Sequence, residues 1–591
     1  MPLIRALLAF LVLAFAVSPA LAQDVPYHVH IRGVGEELLE TIEQNSRLVG
    51  LADRPPPSMI ALRRRAEEDE ERLLDVLSSQ GYYAGTVSVA IDESASPVNV
   101  TIDVELGPPF ILTAYNVHTR NPDPTAQPIT ILLDALGLNL GSRAIAADIV
   151  AAQTRLIEEL GRHSYPLARV LDRRAVADFA TNTLTVDLTI DTGPFARFGE
   201  ATISGTTDVA PIYVRRRLTF EENEAWQSDK LEETRQVLAQ TGLFAAVRVD
   251  AGREMDEEGR LPVAVSVTER PHRTIGGGIG WSTAIGPNAE VFWQHRNLFG
   301  VAERLDLAAR YSEIRTGFDA AFRKPDLFAR NQNLLATFVL EQQNTDAYET
   351  RTIGIGGAYE WVASDQWTLV GGVQIEYTRQ TDSVTDETQD FTLVSFPTEA
   401  RRDTTDDFLN PTQGGRFSIR YQPFVDILGS TTSFHRLELA DSVYLSLDQD
   451  SRYVLAGWAS VGTILGAGHT DIPADRRFYV GGGGSVRGYG YQMAGPLNAS
   501  GDPIGGRSML AFGSELRMRF GENWGVVPFV EAGSSYVDTY PDLGERLFWG
   551  AGLGLRYYTP FGPVRADVAV PLNRRSQDDA FQIYLSLGQA F

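Results

Sequence analysis

The sequence predicts three successive α+β repeats followed by an all-β, 16-stranded barrel that crosses a membrane. Three observations carry that expectation. A glycine that ends a helical stretch recurs at Gly81, Gly161 and Gly242, each followed by a switch to alternating periodicity. Beyond Thr274 the chain becomes short runs of period two, separated by Gly, Asn and Asp. After the first 22 residues no run of 18 apolar residues remains, so only a closed barrel, with every backbone N–H and C=O paired in its own ladder, could span lipid.

Composition excludes several classes of function. The 591 residues carry 52 Lys plus Arg against 76 Asp plus Glu, a formal charge of −24. Such a surface repels phosphate backbones, so nucleic acid is not an expected partner. There is no cysteine, which removes disulfide scaffolds, thiolate metal sites and cysteine nucleophiles together. Lys230 and Lys324 are the only lysines, leaving Arg to supply nearly all the positive charge.

The elements follow in order. Residues 1–22 read as an export signal: Arg5, an apolar run from Ala6 to Val17, a break at Ser18-Pro19, and Ala20-Leu21-Ala22 before a cut at Gln23. The repeats are placed at residues 23–108, 109–194 and 195–272, each as β-α-α-β-β. Their strands show as Val98-Asn-Val-Thr-Ile-Asp-Val104, Leu184-Thr-Val-Asp-Leu-Thr-Ile190 and Val263-Ala-Val-Ser-Val267. Glycine just past a helix, followed by two period-two runs, predicts a helix stop and a hairpin. The acidic run Glu67-Glu68-Asp69-Glu70-Glu71 reads as a solvated helix face.

Residues 273–591 make the barrel. In Arg304–Tyr311 the positions Leu305, Leu307, Ala309 and Tyr311 share one face and Arg304, Asp306 and Arg310 the other; in Gly550–Tyr557, Leu553, Leu555 and Tyr557 oppose Gly550, Gly552, Gly554 and Arg556. Apolar outside and polar inside is what a lipid-facing wall around a wet lumen demands. An aqueous sandwich would alternate too, but would divide into smaller domains. The first barrel strand holds Gly276, Gly277, Gly278 and Gly280, and the last holds Gly588 near the terminal Phe591. Glycine weakens a strand. That seam is therefore predicted to open as a lateral gate, where an incoming strand pairs with the exposed edge; the plainer alternative is that these glycines make room for lumen contents.

Several stretches resemble known families. The repeats are similar to POTRA domains, though any small α+β repeat would share their periodicity. Val486-Arg487-Gly488-Tyr489, inside Arg477–Gln492, resembles the lumen-loop motif of the Omp85 superfamily. Ser508–Phe520, Phe529-Val-Glu-Ala-Gly533 and Gly552–Pro571 resemble that superfamily's following strands in order, together spanning about the last 115 residues. The resemblance implies a sixth extracellular loop folded into the lumen, with Arg487 meeting acidic residues on the wall. Glu515 is the first choice and Glu531 the second, because Glu531 stands where the family has Asp. A lone solvated lumen arginine is the alternative. Three repeats resemble the TamA branch more than general insertases, with five, or two-partner secretion transporters, with two.

What this implies is an outer-membrane assembly or translocation factor, with outer-membrane lipids around it and unfolded β-barrel clients, autotransporters among them, as its partners. A TamB-like inner-membrane-anchored partner is implied as well, and the terminal Phe591 resembles the signal read by the general insertase. No cofactor, metal or catalytic residue is expected. The zinc helix and phosphate-loop motifs are missing, Gly483-Gly484-Ser485-Val486-Arg487 fails as a nucleophile elbow at its last position, and of the His only the strand neighbours His28 and His30 lie close. A lumen enzyme and a simple porin are the rival classes.

Overall fold

The computed structural model describes residues 24–120, 133–383, 386–427, 429, 431–559 and 562–587. The export signal, Gly588 and Phe591 lie outside them. Two compact units divide the chain. One runs through Ser204 and takes in residues 217–237 and 247–266; the other holds residues 205–216, 238–246 and everything from Val267.

The amino-terminal part contains three three-stranded sheets of one topology. The first is built from β1 (Tyr27–Arg32), α1 (Glu36–Asn45), α2 (Arg47–Gly50), α3 (Met59–Ser79), β2 (Thr86–Asp92) and β3 (Val98–Glu105). The second has β4 (Ile111–Arg120), α4 (Ala146–Arg162), β5 (Arg169–Asp178) and β6 (Thr183–Asp191). The third has β7 (Arg197–Ser204), α5 (Pro211–Arg215), α6 (Asp229–Gln240), β8 (Phe244–Ala251) and β9 (Arg260–Glu269). In each sheet the last strand lies central, parallel to the first and beside the second.

Alternation fixes which face is buried. Val98, Val100, Ile102 and Val104 point into the first core, Leu184, Val186, Leu188 and Ile190 into the second, and Leu261, Val263, Val265 and Val267 into the third. Each such side chain contributes about 1.5–3 kcal/mol on full burial. In the first module they meet Leu62, Ala66, Leu73 and Leu77, spaced along one face of α3. Gly33 and Gly205 close β1 and β7 with φ of +85° and +82°, and a Cβ on either would run into the carbonyl of Val104 or Val267. Only glycine fits that corner.

Three expectations from the sequence change here. Gly161 does not end its helix: α4 continues to Arg162, and Ser164 takes the positive φ of 74°. The helix can run on because Ser164 Oγ donates to the Trp226 carbonyl at 2.8 Å, which anchors the turn. Gly161 instead permits close packing, since a Cβ there would sit 2.6 Å from Ser228 Oγ. The second module shows one α-helix and a 3-10 turn, Leu133–Leu136, among the described residues. Asp69, in the middle of the acidic run, is fully buried. Its carboxylate accepts from Ser46 Oγ at 2.5 Å, Arg47 N at 2.7 Å and Leu48 N at 3.1 Å, capping α2 where two N–H groups would otherwise be unsatisfied.

From Arg273 onward the chain is a closed antiparallel barrel. Its 17 strand segments make 16 strands, because Glu387–Ser395 and Thr398–Asp403 both pair with Trp367–Asp382 on one side and Gly414–Asp426 on the other, in unbroken register. The interruption falls at Phe396-Pro397, where proline has no N–H to give the ladder. Outward positions carry Leu553, Leu555 and Tyr557, while Arg556 on the same strand is fully buried inside. Among the described residues no helix is long and apolar enough to cross a membrane.

Candidate functional site

Residues 466–507 link the eleventh strand, Tyr453–Leu465, to the twelfth, Ser508–Phe520. This sixth connection at the rim where strand one ends folds into the barrel. Arg487, near its tip, is 1% exposed. Its backbone N–H donates to Glu531 Oε2 at 2.8 Å, while Nε and Nη2 both donate to Glu531 Oε1, at 2.9 and 2.6 Å. Nη1 reaches Asp567 Oδ2 at 2.6 Å, and Nη2 also reaches Glu515 Oε2 at 3.3 Å. The guanidinium carbon lies 3.4 Å from the centroid of the Phe529 ring, a cation–π contact added to charge-assisted bonds.

Strand alternation puts these acceptors on one patch of inner wall. Glu515 belongs to the twelfth strand, Phe529 and Glu531 to the thirteenth (Trp524–Tyr536), and Asp567 to the fifteenth (Gly562–Pro571). Arg517 donates to Glu515 at 2.7 Å, Arg556 donates to Asp567, and Arg565 stands 3.4 Å from Asp567. Four guanidiniums thus surround three carboxylates with no more than 9% exposure on any side chain. So many buried charges are tolerable only because each is paired with an opposite charge, with hydrogen bonds in every pair but that of Arg565.

The rest of the tetrapeptide is equally constrained. Val486 is fully buried in the apolar cluster under the loop. Gly488 has φ +101°, and a Cβ would press within 3.0 Å of the Val570 carbonyl. Tyr489 OH donates to Asn573 Oδ1 at 2.7 Å. Tyr584 OH, on the last strand, accepts from Gly488 N at 3.3 Å.

The sequence order of preference between Glu515 and Glu531 is reversed in the geometry. Glu531 is flanked across its ladder by Gly513 and Gly550, so the wall bears no side chain on either side of it. A Cβ at Gly550 would collide with the Arg487 carbonyl. The loop backbone therefore lies flat against the wall, and the extra methylene of Glu531 lets one carboxylate serve both the backbone and the guanidinium of Arg487. Asp567 was missed, although Arg565 and Asp567 alternate on one face and mark an inward ionic pair. Also missed was the loop's root, where Arg477 donates to Asp382 at 3.0 Å and Arg476 reaches Glu376 at 2.9 Å, fixing it to the seventh strand.

At the seam, Arg273–Ser282 pairs along its whole length with Gly286–His295. Toward the last strand, Gln582–Leu587, only Trp281–Leu585 and Ser282–Tyr584 pair among the described residues. Thr283 N adds a bond to the Ile583 carbonyl at 3.1 Å. Gly276 leaves room for the Phe292 ring and Gly280 for Asn288, and a Cβ on Gly277 would stand 2.8 Å from the Glu290 carbonyl; Gly278 faces open space. An apolar groove of about 700 Å³ runs along this seam, lined by Ile279, Trp281, Trp524, Tyr557 and Leu585 among others.

Over residues 297–591 the chain matches the Omp85 superfamily domain. It is 23% identical over 540 residues to the outer membrane protein assembly factor BamA of Nitratidesulfovibrio vulgaris, covering 89% of this chain and 68% of that protein. To BamA of Neisseria meningitidis serogroup B it is 22% identical over 588 residues, covering 89% and 72%. The crystal structure of BamA from Haemophilus ducreyi lacking POTRA domains 1–3 shares the fold, with a TM-score of 0.69 at 16% identity, covering 81% of this chain and 100% of that one.

Proposed function

Since the chain belongs to the Omp85 superfamily, we propose that it is an outer-membrane protein assembly factor that passes unfolded β-barrel clients into the bilayer through the seam between its first and last strands. The barrel sits in the outer membrane and the three POTRA-like modules in the periplasm. The work is physical: a client strand entering lipid must have its N–H and C=O groups paired, and an edge strand supplies that pairing by β-augmentation. Client folding drives the process, so the reading needs neither cofactor nor bond-making residue.

The observation that carries this reading is the glycine-rich first strand at the seam. Arg273–Ser282 pairs with its hairpin neighbour Gly286–His295, and among the described residues Trp281–Leu585 and Ser282–Tyr584 join it to the last strand. Gly276, Gly277 and Gly278 add conformational freedom to the edge, with Gly588 and Phe591 completing the proposed gate. In the resting state Arg487, held by Glu531, Glu515 and Asp567, keeps the loop inside and ties it to the wall beside the gate.

Because the chain has no cysteine of its own, Trp281→Cys with Leu585→Cys gives a clean test. Oxidation should stop client assembly and reduction restore it. Full assembly by the oxidised protein would refute the gate.

Within the superfamily, three modules favour the TamA branch, with autotransporter-type clients and a TamB-like partner anchored in the inner membrane. The identity to BamA proteins supports the general insertase as the other reading.

A further inference from the structure

The eighth strand (Glu387–Ser395 with Thr398–Asp403) and the ninth (Gly414–Asp426) are joined at the opposite rim from the loop, by residues 404–413, a long turn for this barrel. It is built to hold its shape. Asp406 accepts from Thr412 N at 2.8 Å and Gln413 N at 3.1 Å, and Asp407 from Leu409 N at 2.8 Å and Asn410 N at 2.7 Å. Arg416 donates to the Phe408 carbonyl at 2.8 Å and lies 5.2 Å from that ring's centroid. Such side-chain-to-backbone bonds preset a turn.

The turn does not stay beside its own strands. Pro411 is buried, and its carbonyl accepts from Arg517 Nη1 on the twelfth strand at 3.1 Å. Leu409 packs within 3.6 Å of where a Cβ on Gly562 would stand, at the start of the fifteenth strand. The turn therefore reaches across the barrel mouth to the wall that carries the Arg487 cluster. Between the turn and the loop lies a chamber of about 670 Å³, lined by Phe408 of the turn, Gly484 of the loop and Arg401, Arg416, Asp441 and Trp458 of the wall.

We propose that residues 404–413 form a second plug closing the lumen from the periplasmic side, and that Arg517 is the positioning residue that links it to the Arg487 lock. Glu515 is the shared element: Oε1 accepts from Arg517 at 2.7 Å and Oε2 from Arg487 at 3.3 Å. The chain of bonds runs from the Pro411 carbonyl through Arg517 and Glu515 to Arg487, all three side chains at most 3% exposed. Arg517 fixes the rotamer in which the Glu515 carboxylate is presented to Arg487, so release of the turn loosens the loop tip and release of the tip loosens the turn. This rests on the reading of that rim as periplasmic.

The test is ion conductance of the full chain in a planar bilayer, with no client present, so that its outcome is separate from that of the seam disulfide. Replacing residues 405–412 by Asn-Gly should raise mean conductance several-fold, and Arg517→Ala should raise it and increase flicker. Arg517→Lys, which keeps the charge but not the rigid fork that spaces the bonds to Pro411 and Glu515, should fall between. Combined with Arg487→Ala, Arg517→Ala should add less than the product of the two separate fold-changes. Unchanged conductance in the shortened-turn protein would overturn the plug, and independent, multiplying effects would overturn the link. A heat-dependent gel shift verifies that each variant is a folded barrel; were Arg517→Ala to misfold, the shortened turn and Arg517→Lys decide the matter.

Discussion

Arg487 donates five hydrogen bonds to carboxylates, and three of them go to Glu531. Those three join the loop backbone and the guanidinium to one residue, whereas Glu515 offers Arg487 a single bond of 3.3 Å. Glu531→Gln should therefore free the loop tip far more than Glu515→Gln, read as cleavage of the sixth loop by external protease in intact cells. The cost approaches about 3–5 kcal/mol, the range for breaking a fully buried pair. Equal cleavage in the two variants would contradict the assignment. The tetrapeptide motif singled out Arg487, but did not give the ranking of the carboxylates around it. Side-chain length argued for Glu515; the ranking is set by Gly550, whose missing Cβ lets the loop backbone lie on the wall beside Glu531, a matter of register between strands.

Among the elements, the end of β9 carries a second anchored carboxylate. Glu269 accepts from the N–H groups of Thr207 at 2.6 Å, Asp208 at 3.1 Å and Val209 at 2.9 Å, and pairs with His272 at 2.9 Å. Burial opposes its ionisation, but the backbone donors and His272 outweigh burial and hold its carboxyl at about 2, below the ordinary 4.5. The sign follows from the lowered value. The ionised form stabilises the fold fully above pH 4.5, and that contribution is lost as pH falls from there toward 2. Hydrogen exchange at the amides of Thr207–Val209 should accelerate across that window relative to Glu269→Gln, where the anchor is already weakened. Parallel behaviour of the two proteins would count against it. The period-two central strands were legible from the sequence because their apolar residues alternate without a gap. The helix end at Gly161 was not, because a glycine needed for close packing against Ser228 looks the same in sequence as one needed for a left-handed turn.

At the scale of the whole molecule, the sixteen-stranded architecture was readable because lipid on one side and water on the other impose alternation on every strand. The proposed branch of the superfamily rests on the number of modules. Depletion of the protein followed by quantitation of outer-membrane proteins separates the readings. Loss of a subset of barrels, with a TamB-like protein crosslinking to the first module, is the outcome expected of the TamA branch. Loss of nearly all barrels would place the chain among general insertases instead.

The proline break in the eighth strand lies half-way round the ring from the seam. Pro397 has no N–H for the Gly372 carbonyl, and Pro423, opposite Phe396 on the ninth strand, has none for the Phe396 carbonyl. A hoop that parts at one point must flex somewhere else, most easily where its wall is least stitched. Two absent donors side by side give this cylinder a compliant line diametrically across from the seam, and a barrel that parted there as proposed would bend along that line like a clamshell and leave the ladders between intact.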